Sequence, residues 1–295
     1  MIINWYPGHM EKALKMMQTE LDLIDTVVYV LDSRAPFSCV NPSINNIVKN
    51  KPIIYVLNKA DLVESKDLVE FQKHFSGENK VCITLNSTES NSSKKLLDAV
   101  KNLKIKKVEK NEKRGITIPL RMMILGVPNC GKSTLINNLC GKGKTITGDR
   151  AGVTRGKQWV SVGDNLEVLD TPGTLWPNLD NTKIAHNLGY IGSIKDEVLD
   201  ISSLCLDFII DMVKIDKSIL ENRYNIKIDA ENWIFNDGDY FEDDDLKQNA
   251  LIVYEDICKS RGYMLKNHEF DYERCSRAVL DDFKKGKLGK IILDR

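Results

Sequence analysis

Five short apolar runs stand along the first part of the chain: TVVYVLD (26–32), PIIYVLN (52–58), KVCITLN (80–86), LRMMILG (120–126) and LEVLD (166–170). Their apolar positions are nearly continuous rather than alternating, which suits strands covered on both faces, with the intervening helical patterns as the covers. The pattern predicts an α/β domain with a mostly parallel sheet flanked by helices. EKALKMMQTELDLI (11–24) reads as an amphipathic helix. After about Pro177 the strand runs fade, and residues 184–214, 246–265 and 272–289 carry helical periodicity. A smaller all-helical domain is therefore expected over 180–295, after an α/β domain over 1–179.

Composition changes this picture little. With 295 residues there is ample chain for two cores. Lys+Arg and Asp+Glu are both 42, so the net charge is zero and any nucleic-acid contact must come from local patches. Seven scattered cysteines without a Cys-x-x-Cys pair argue against a disulfide framework or a zinc site, and point to reduced thiols. No run has the length of a signal-peptide core or a membrane span, so a cytoplasmic protein is expected. Residues 101–115 are basic and 229–246 are acidic with interleaved aromatics. Either can be solvated surface, and the basic one can equally touch phosphates.

Chemistry enters at GVPNCGKS (126–133), which fits G-x-x-x-x-G-K-[ST] after an apolar strand and before the helical KSTLINNL. In such a loop the backbone N–H groups of Asn129, Cys130, Gly131, Lys132, Ser133 and Thr134 curl around phosphate oxygens at a helix N-terminus. Lys132 reaches the β- and γ-phosphates, and the Ser133 hydroxyl binds Mg²⁺. DTPG (170–173) ends the last strand run, where Asp170 can meet the metal through water and Gly173 can offer its N–H to the γ-phosphate; alone, the tetrapeptide is also an ordinary turn. Thr154, in GVTRG (152–156), is the candidate switch threonine that completes the Mg²⁺ shell.

NKAD (58–61) closes the second strand run. Asp61 can accept from the N1 and N2 hydrogens of guanine, whereas adenine would leave that carboxylate desolvated and unpaired, a discrimination of roughly 10⁴-fold in sites of this kind. Asn58 and Lys59 would hold the loop, and LNST (85–88) places Asn86 and Ser87 where a backbone N–H can meet the guanine carbonyl. GTP rather than ATP is the nucleotide these motifs specify. Their order is unusual, because the base-reading segments precede the phosphate loop, the switch threonine and Asp-Thr-Pro-Gly. Ligands of open α/β sheets bind at the carboxyl ends of strands, so a permuted chain can build the same pocket. The permutation leads the chain from DTPGTLWP (170–177) into the helical domain, so nucleotide state is expected to set that domain's position.

The chain resembles the circularly permuted, Ras-like GTPases, and most closely the ribosome biogenesis GTPase A family. The resemblance rests on WYPGHM (5–10), DSRAPFSCVNP (32–42), NKADL, GVPNCGKSTLIN, GVTRGKQW (152–159), DTPGTLWP, GSIKDE (192–197) and DDFKKGKLGKIIL (281–293). It implies a GTPase that binds a late precursor of the large ribosomal subunit, contacts ribosomal RNA and is released when GTP is hydrolysed; a monomer is expected. The alternative class is a GTP-gated RNA-binding scaffold in which hydrolysis is incidental.

The resemblance also bears on single residues. Many GTPases keep a water-orienting glutamine after DTPG, but Thr174 stands there, and the family's Gly-His-Met histidine, implicated in hydrolysis, matches His9; on sequence alone His9 is equally an unremarked histidine before a helix. Asn129 matches the phosphate-loop asparagine that helps coordinate K⁺ in potassium-activated relatives, or else it stabilises the loop. Lys284, Lys285, Lys287 and Lys290, with Arg34 and the basic segment, are the RNA candidates; the four lysines also suit the negative end of a helix dipole. Ala151 where the family often has proline, Thr174 and the long acidic insert depart from the family pattern.

Overall fold

The computed structural model describes residues 8–103, 119–141, 158–162, 166–177, 179, 181–229, 231, 233–235 and 240–294. Thr154 and Ala151, most of the basic segment and parts of the acidic insert lie outside the described residues. The chain forms two compact units, one within residues 4–178 together with 292–295, the other spanning Leu179–Ile291.

The first unit is built on a six-stranded sheet: β1 (Thr26–Asp32), β2 (Ile53–Asn58), β3 (Lys80–Thr84), β4 (Leu120–Leu125), β5 (Gln158–Val162) and β6 (Leu166–Asp170). The spatial order is β3-β2-β1-β4-β6-β5. All pairs are parallel except β5 with β6, which is antiparallel. Every residue of β1 and of β2 is buried, which is why those strands read as unbroken apolar runs. Five strands match the apolar runs; β5 was not foreseen, because QWVSV is a short edge strand with polar alternate positions.

Helices α1 (Gly8–Glu20), α2 (Pro42–Val48), α3 (Ser65–Phe75), α4 (Ser92–Asn102) and α5 (Lys132–Cys140) complete the described part of this unit. The first starts earlier than its apolar periodicity suggested, so His9 lies in its first turn rather than ahead of it. Because β1 and β4 are adjacent in space, the ends of β1, β2, β4 and β6 carry the nucleotide motifs to one edge of the sheet whatever their order in the chain.

The second unit is helical: α6 (Thr182–Tyr190), α7 (Ile201–Asp216), α8 (Ser218–Tyr224), α9 (Asp244–Arg261) and α10 (Tyr272–Lys284). The apolar stretch 184–214 is two helices. Gly192, at φ +77°, closes the first of them, and the Asp200 carboxylate caps the next by accepting from the N–H groups of Ser202 and Ser203. The last helix ends at Lys284, short of the expected 289, as Gly286 takes φ +72°. Residues 292–294 belong with the first unit, not with the helical domain expected to run to 295; three hydrogen bonds to the loop after β1 hold them there.

Phe208 of α7 is fully buried, with its ring centroid 5.0 Å from that of Tyr190 and 5.2 Å from that of Phe283. Phe208→Ala is expected to lower the unfolding free energy by about 3–5 kcal/mol in chemical denaturation; a loss below about 1 kcal/mol would show that this cluster does not carry the helical core.

Candidate functional site

The site is centred on the end of β2. Asn58 is buried, and its side-chain amide donates to the carbonyl of Cys130 at 2.7 Å while its Oδ1 accepts from the N–H of Ser87 at 2.8 Å. One side chain thus ties the base-reading strand end to the phosphate loop and to the loop after β3. Gly131, at φ +103°, is required beneath it, since a Cβ there would lie 2.0 Å from Asn58 Nδ2. The loop after β3 is held from its other side by Asn138 of α5, whose amide donates to the Ser87 carbonyl and to Ser92 Oγ. Asn86 closes a local turn by accepting from Thr88 N at 3.0 Å.

Lys59 adopts a left-handed backbone, φ 57°. Its ammonium donates to Asp32 Oδ2 at 2.8 Å and to the carbonyl of Asn129 at 3.1 Å, so it too bridges the base side and the phosphate loop. Asp32 is fully buried and also takes a two-pronged contact from the Arg34 guanidinium, at 2.9 and 2.8 Å. Burial pushes the Asp32 carboxyl up, but the adjoining charges of Arg34 and Lys59 prevail and hold it well below the usual carboxylate range. Asp61 follows in a short 3₁₀ turn, Ala60–Leu62, and its carboxylate is exposed to solvent.

On the phosphate side, Asn129 is left-handed at φ 58°, and α5 begins at Lys132. The Lys132 ammonium is buried and folds back onto the carbonyls of Gly126 and Val127, at 3.0 and 2.9 Å. Ser133 is half-buried, whereas Thr134 is exposed. Cys130 is buried, and that burial raises its thiol despite the nearby Lys132 charge, so it is a neutral packing residue. Asp170 ends β6 directly beside Ile124 of β4. The turn that follows is fastened to β4 and its loop: Thr171 Oγ1 donates to the Ile124 carbonyl at 2.6 Å, and Thr174 N donates to the Gly126 carbonyl at 3.4 Å. A Cβ on Gly173 would come within 2.7 Å of Pro128 Cα and 3.0 Å of Lys132 Nζ, so glycine is what lets this turn reach the phosphate loop.

Thr174 is itself fully buried, and its hydroxyl has no hydrogen-bond partner among the described residues. One position further, Leu175 N lies 3.5 Å from Met10 Sδ, which brings the first turn of α1, with the exposed His9, against this segment. The oxygen donors of Ser133 and Asp170 suit a hard cation such as Mg²⁺, which is held by one or two protein groups together with nucleotide phosphates. No cluster of three or more metal-ligating residues occurs among the described residues.

Lys284, Lys285, Lys287 and Lys290 are not part of this site, lying instead in the helical unit. Three of them meet carboxylates there, Lys284 with Asp196, Lys285 with Asp281 and Lys287 with Asp282. Arg34, taken from sequence as an RNA candidate, is 1% exposed and committed to Asp32, which removes it from any RNA surface. The contributions of Asp32, Ser33 and Asn138 to the site were missed; the Asp-x-Arg spacing at the end of β1 was the available signal for the first.

The edge-on assembly of NKAD, the Ser87 loop, the phosphate loop and Asp-Thr-Pro-Gly, with the base-reading segments first in the chain, defines a circularly permuted P-loop GTPase. A family model described as "50S ribosome-binding GTPase" matches residues 121–235, beginning on β4 and so excluding NKAD, as the permuted order requires. "Ribosome biogenesis GTPase A" of Bacillus cereus is 34% identical over all of this chain and 94% of that protein. "Mitochondrial ribosome-associated GTPase 1" of Bos taurus is 28% identical, covering all of this chain and 89% of that one. The crystal structure of GNP-bound YlqF from Thermotoga maritima superimposes with a TM-score of 0.60 at 27% identity, over 96% of this chain and 98% of that one. The chain belongs to the ribosome biogenesis GTPase A family. It binds guanine nucleotide and hydrolyses GTP.

Asn58→Ala leaves the Ser87 N–H and the Cys130 carbonyl without their partner, and each buried orphan costs about 1–3 kcal/mol. GDP affinity, read by calorimetric titration, is expected to fall at least about tenfold; an unchanged affinity would show that the three loops hold their places without it.

Proposed function

We propose that this GTPase acts in the cytoplasm, as a monomer, at a late step in maturation of the large ribosomal subunit, binding the precursor particle and its RNA in the GTP state and leaving on hydrolysis. The observation that carries this reading is the end-to-end correspondence with "Ribosome biogenesis GTPase A" of Bacillus cereus, which spans both units rather than the nucleotide-binding part alone.

In this reading Asp61 accepts from the guanine N1 and N2 hydrogens, Asn58 and Lys59 hold its loop, and a backbone N–H near Asn86 and Ser87 meets the guanine carbonyl. The backbone N–H groups of residues 129–134 surround the phosphates, and Lys132 exchanges its carbonyl partners for the β- and γ-phosphate oxygens. Ser133, Asp170 (through water) and Thr154 would hold Mg²⁺ beside the nucleotide phosphates. The metal supplies charge neutralisation across the phosphates. Gly173 donates its N–H to the γ-phosphate, and Asn129 is the candidate K⁺ ligand.

Water attacks the γ-phosphorus, and catalysis is positioning plus charge stabilisation. The burial of Thr174 favours an orienting group from elsewhere, and His9, one residue from the contact between Met10 and Leu175, is that group. RNA contact is assigned to the segment carrying Lys284, Lys285, Lys287 and Lys290. Because three of these lysines already meet carboxylates, their contribution is a modest local field rather than a strongly basic surface.

The test is GTP turnover with and without large ribosomal subunits, in potassium and in sodium buffer, with ATP as control. Stimulation by the particle, confined to GTP and lost by about 10²-fold or more in His9→Ala, is the expected result. Turnover indifferent to the particle would favour a GTP-gated RNA-binding scaffold, and stimulation retained in His9→Ala would remove the histidine from the reaction.

A further inference from the structure

Residues 292–294 follow the helical unit in the chain but pack with the sheet unit. Ile292 and Leu293 are buried, at 4% and 2% exposure. Leu293 donates its backbone N–H to the carbonyl of Arg34 at 2.8 Å. The Asp294 carboxylate takes two hydrogen bonds from Ser38, one from its N–H at 2.9 Å and one from its hydroxyl at 2.5 Å. The segment therefore grips both ends of the bend that follows β1, across 256 residues of sequence.

That bend leads directly to the base-reading strand end. Ser33 donates to the Asn58 carbonyl from its backbone N–H at 2.9 Å and from its hydroxyl at 2.6 Å. Arg34 holds Asp32, and Asp32 holds Lys59. Leu293 thus holds the Arg34 backbone, and Asp294 holds Ser38 four residues along the same loop. From that loop the Arg34 side chain reaches Lys59 through Asp32, and Ser33 reaches the backbone of Asn58; Asn58 and Lys59 stand immediately before the turn that carries Asp61. The buried Asp32 carboxylate allows this arrangement little slack. If the loop shifts and Arg34 leaves, a buried charge loses one of its two cationic partners.

We propose that Leu293 and Asp294 are positioning residues for guanine recognition: by fixing the loop of residues 33–41 they hold Asn58 and Lys59 in the geometry that presents Asp61 to the base. Neither touches nucleotide in this scheme; both act through the loop. The proposal rests on the reading of Asp61 as the base-reading residue.

The test uses the full chain and two nucleotides, GDP and inosine diphosphate, which lacks the exocyclic N2 group and so offers Asp61 one contact fewer. Asp294→Ala is expected to weaken GDP binding about fivefold and inosine diphosphate binding less, narrowing the preference between them. Ser38→Ala, which removes the hydroxyl bond but leaves the Ser38 N–H on Asp294, is expected to narrow the preference less, and the double variant to add nothing beyond Asp294→Ala. Asp294→Asn, which keeps an acceptor for the Ser38 N–H, is expected to recover most of the preference, and it carries the test if the alanine variant does not fold. A wild-type preference left intact in Asp294→Ala would overturn the proposal alone, as would an equal loss for both nucleotides with a lowered melting temperature. No preference in the wild-type protein would overturn the reading of Asp61 and this proposal with it.

Discussion

The nucleotide site depends on one buried amide. Asn58 donates to the phosphate loop at Cys130 and accepts from Ser87, so three loops from distant parts of the chain share a single anchoring side chain. Because it sits against Gly131, no larger residue fits at that loop position, and the left-handed glycine and the asparagine form one constraint. An amide suits this place because it carries a donor and an acceptor on one rigid plane, and both are satisfied without introducing a buried charge. Lys59 repeats the bridge one residue later, with its charge balanced by Asp32.

This constraint makes the reversed motif order harmless to the chemistry. Parallel strands deliver their carboxyl ends to one edge of the sheet, and with β1 between β2 and β4 the base-reading and phosphate-binding ends lie near each other irrespective of which is synthesised first. The permutation alters the connections instead. The turn that ends with Gly173 packs on Pro128 and Lys132 and is followed within a few residues by the helical unit, while residues 292–294 return to the loop beside the base.

Much of this was legible in the sequence, for identifiable reasons. β1 and β2 are buried on both faces, as is β4 apart from Arg121, so their runs are nearly unbroken. The phosphate loop and NKAD carry spacing imposed by ligand geometry, which survives permutation. What could not be read was long-range or locally ambiguous. β5 is five residues at a sheet edge and depends on antiparallel pairing with β6. Arg34 looked like a surface cation because nothing local reveals that it is buried on Asp32 beside Lys59. The contact between Asp294 and Ser38 joins opposite ends of the chain, and a short Leu-Asp pair has no periodicity to announce it. Helix ends at Gly192 and Gly286 were overrun because apolar periodicity continues past them, whereas the positive φ at each glycine stops the helix.

We propose that the base is read through Asp61, just after β2 and ahead of the phosphate loop in the chain. The most direct measurement is the affinity of the wild-type protein and of Asp61→Asn for GDP and for xanthosine diphosphate. Xanthine has a carbonyl where guanine has its N2 amino group, so an asparagine amide complements xanthine as a carboxylate complements guanine. Wild type is expected to prefer GDP, and Asp61→Asn to invert the preference. A variant that still prefers GDP would contradict this reading and place base recognition elsewhere in the molecule.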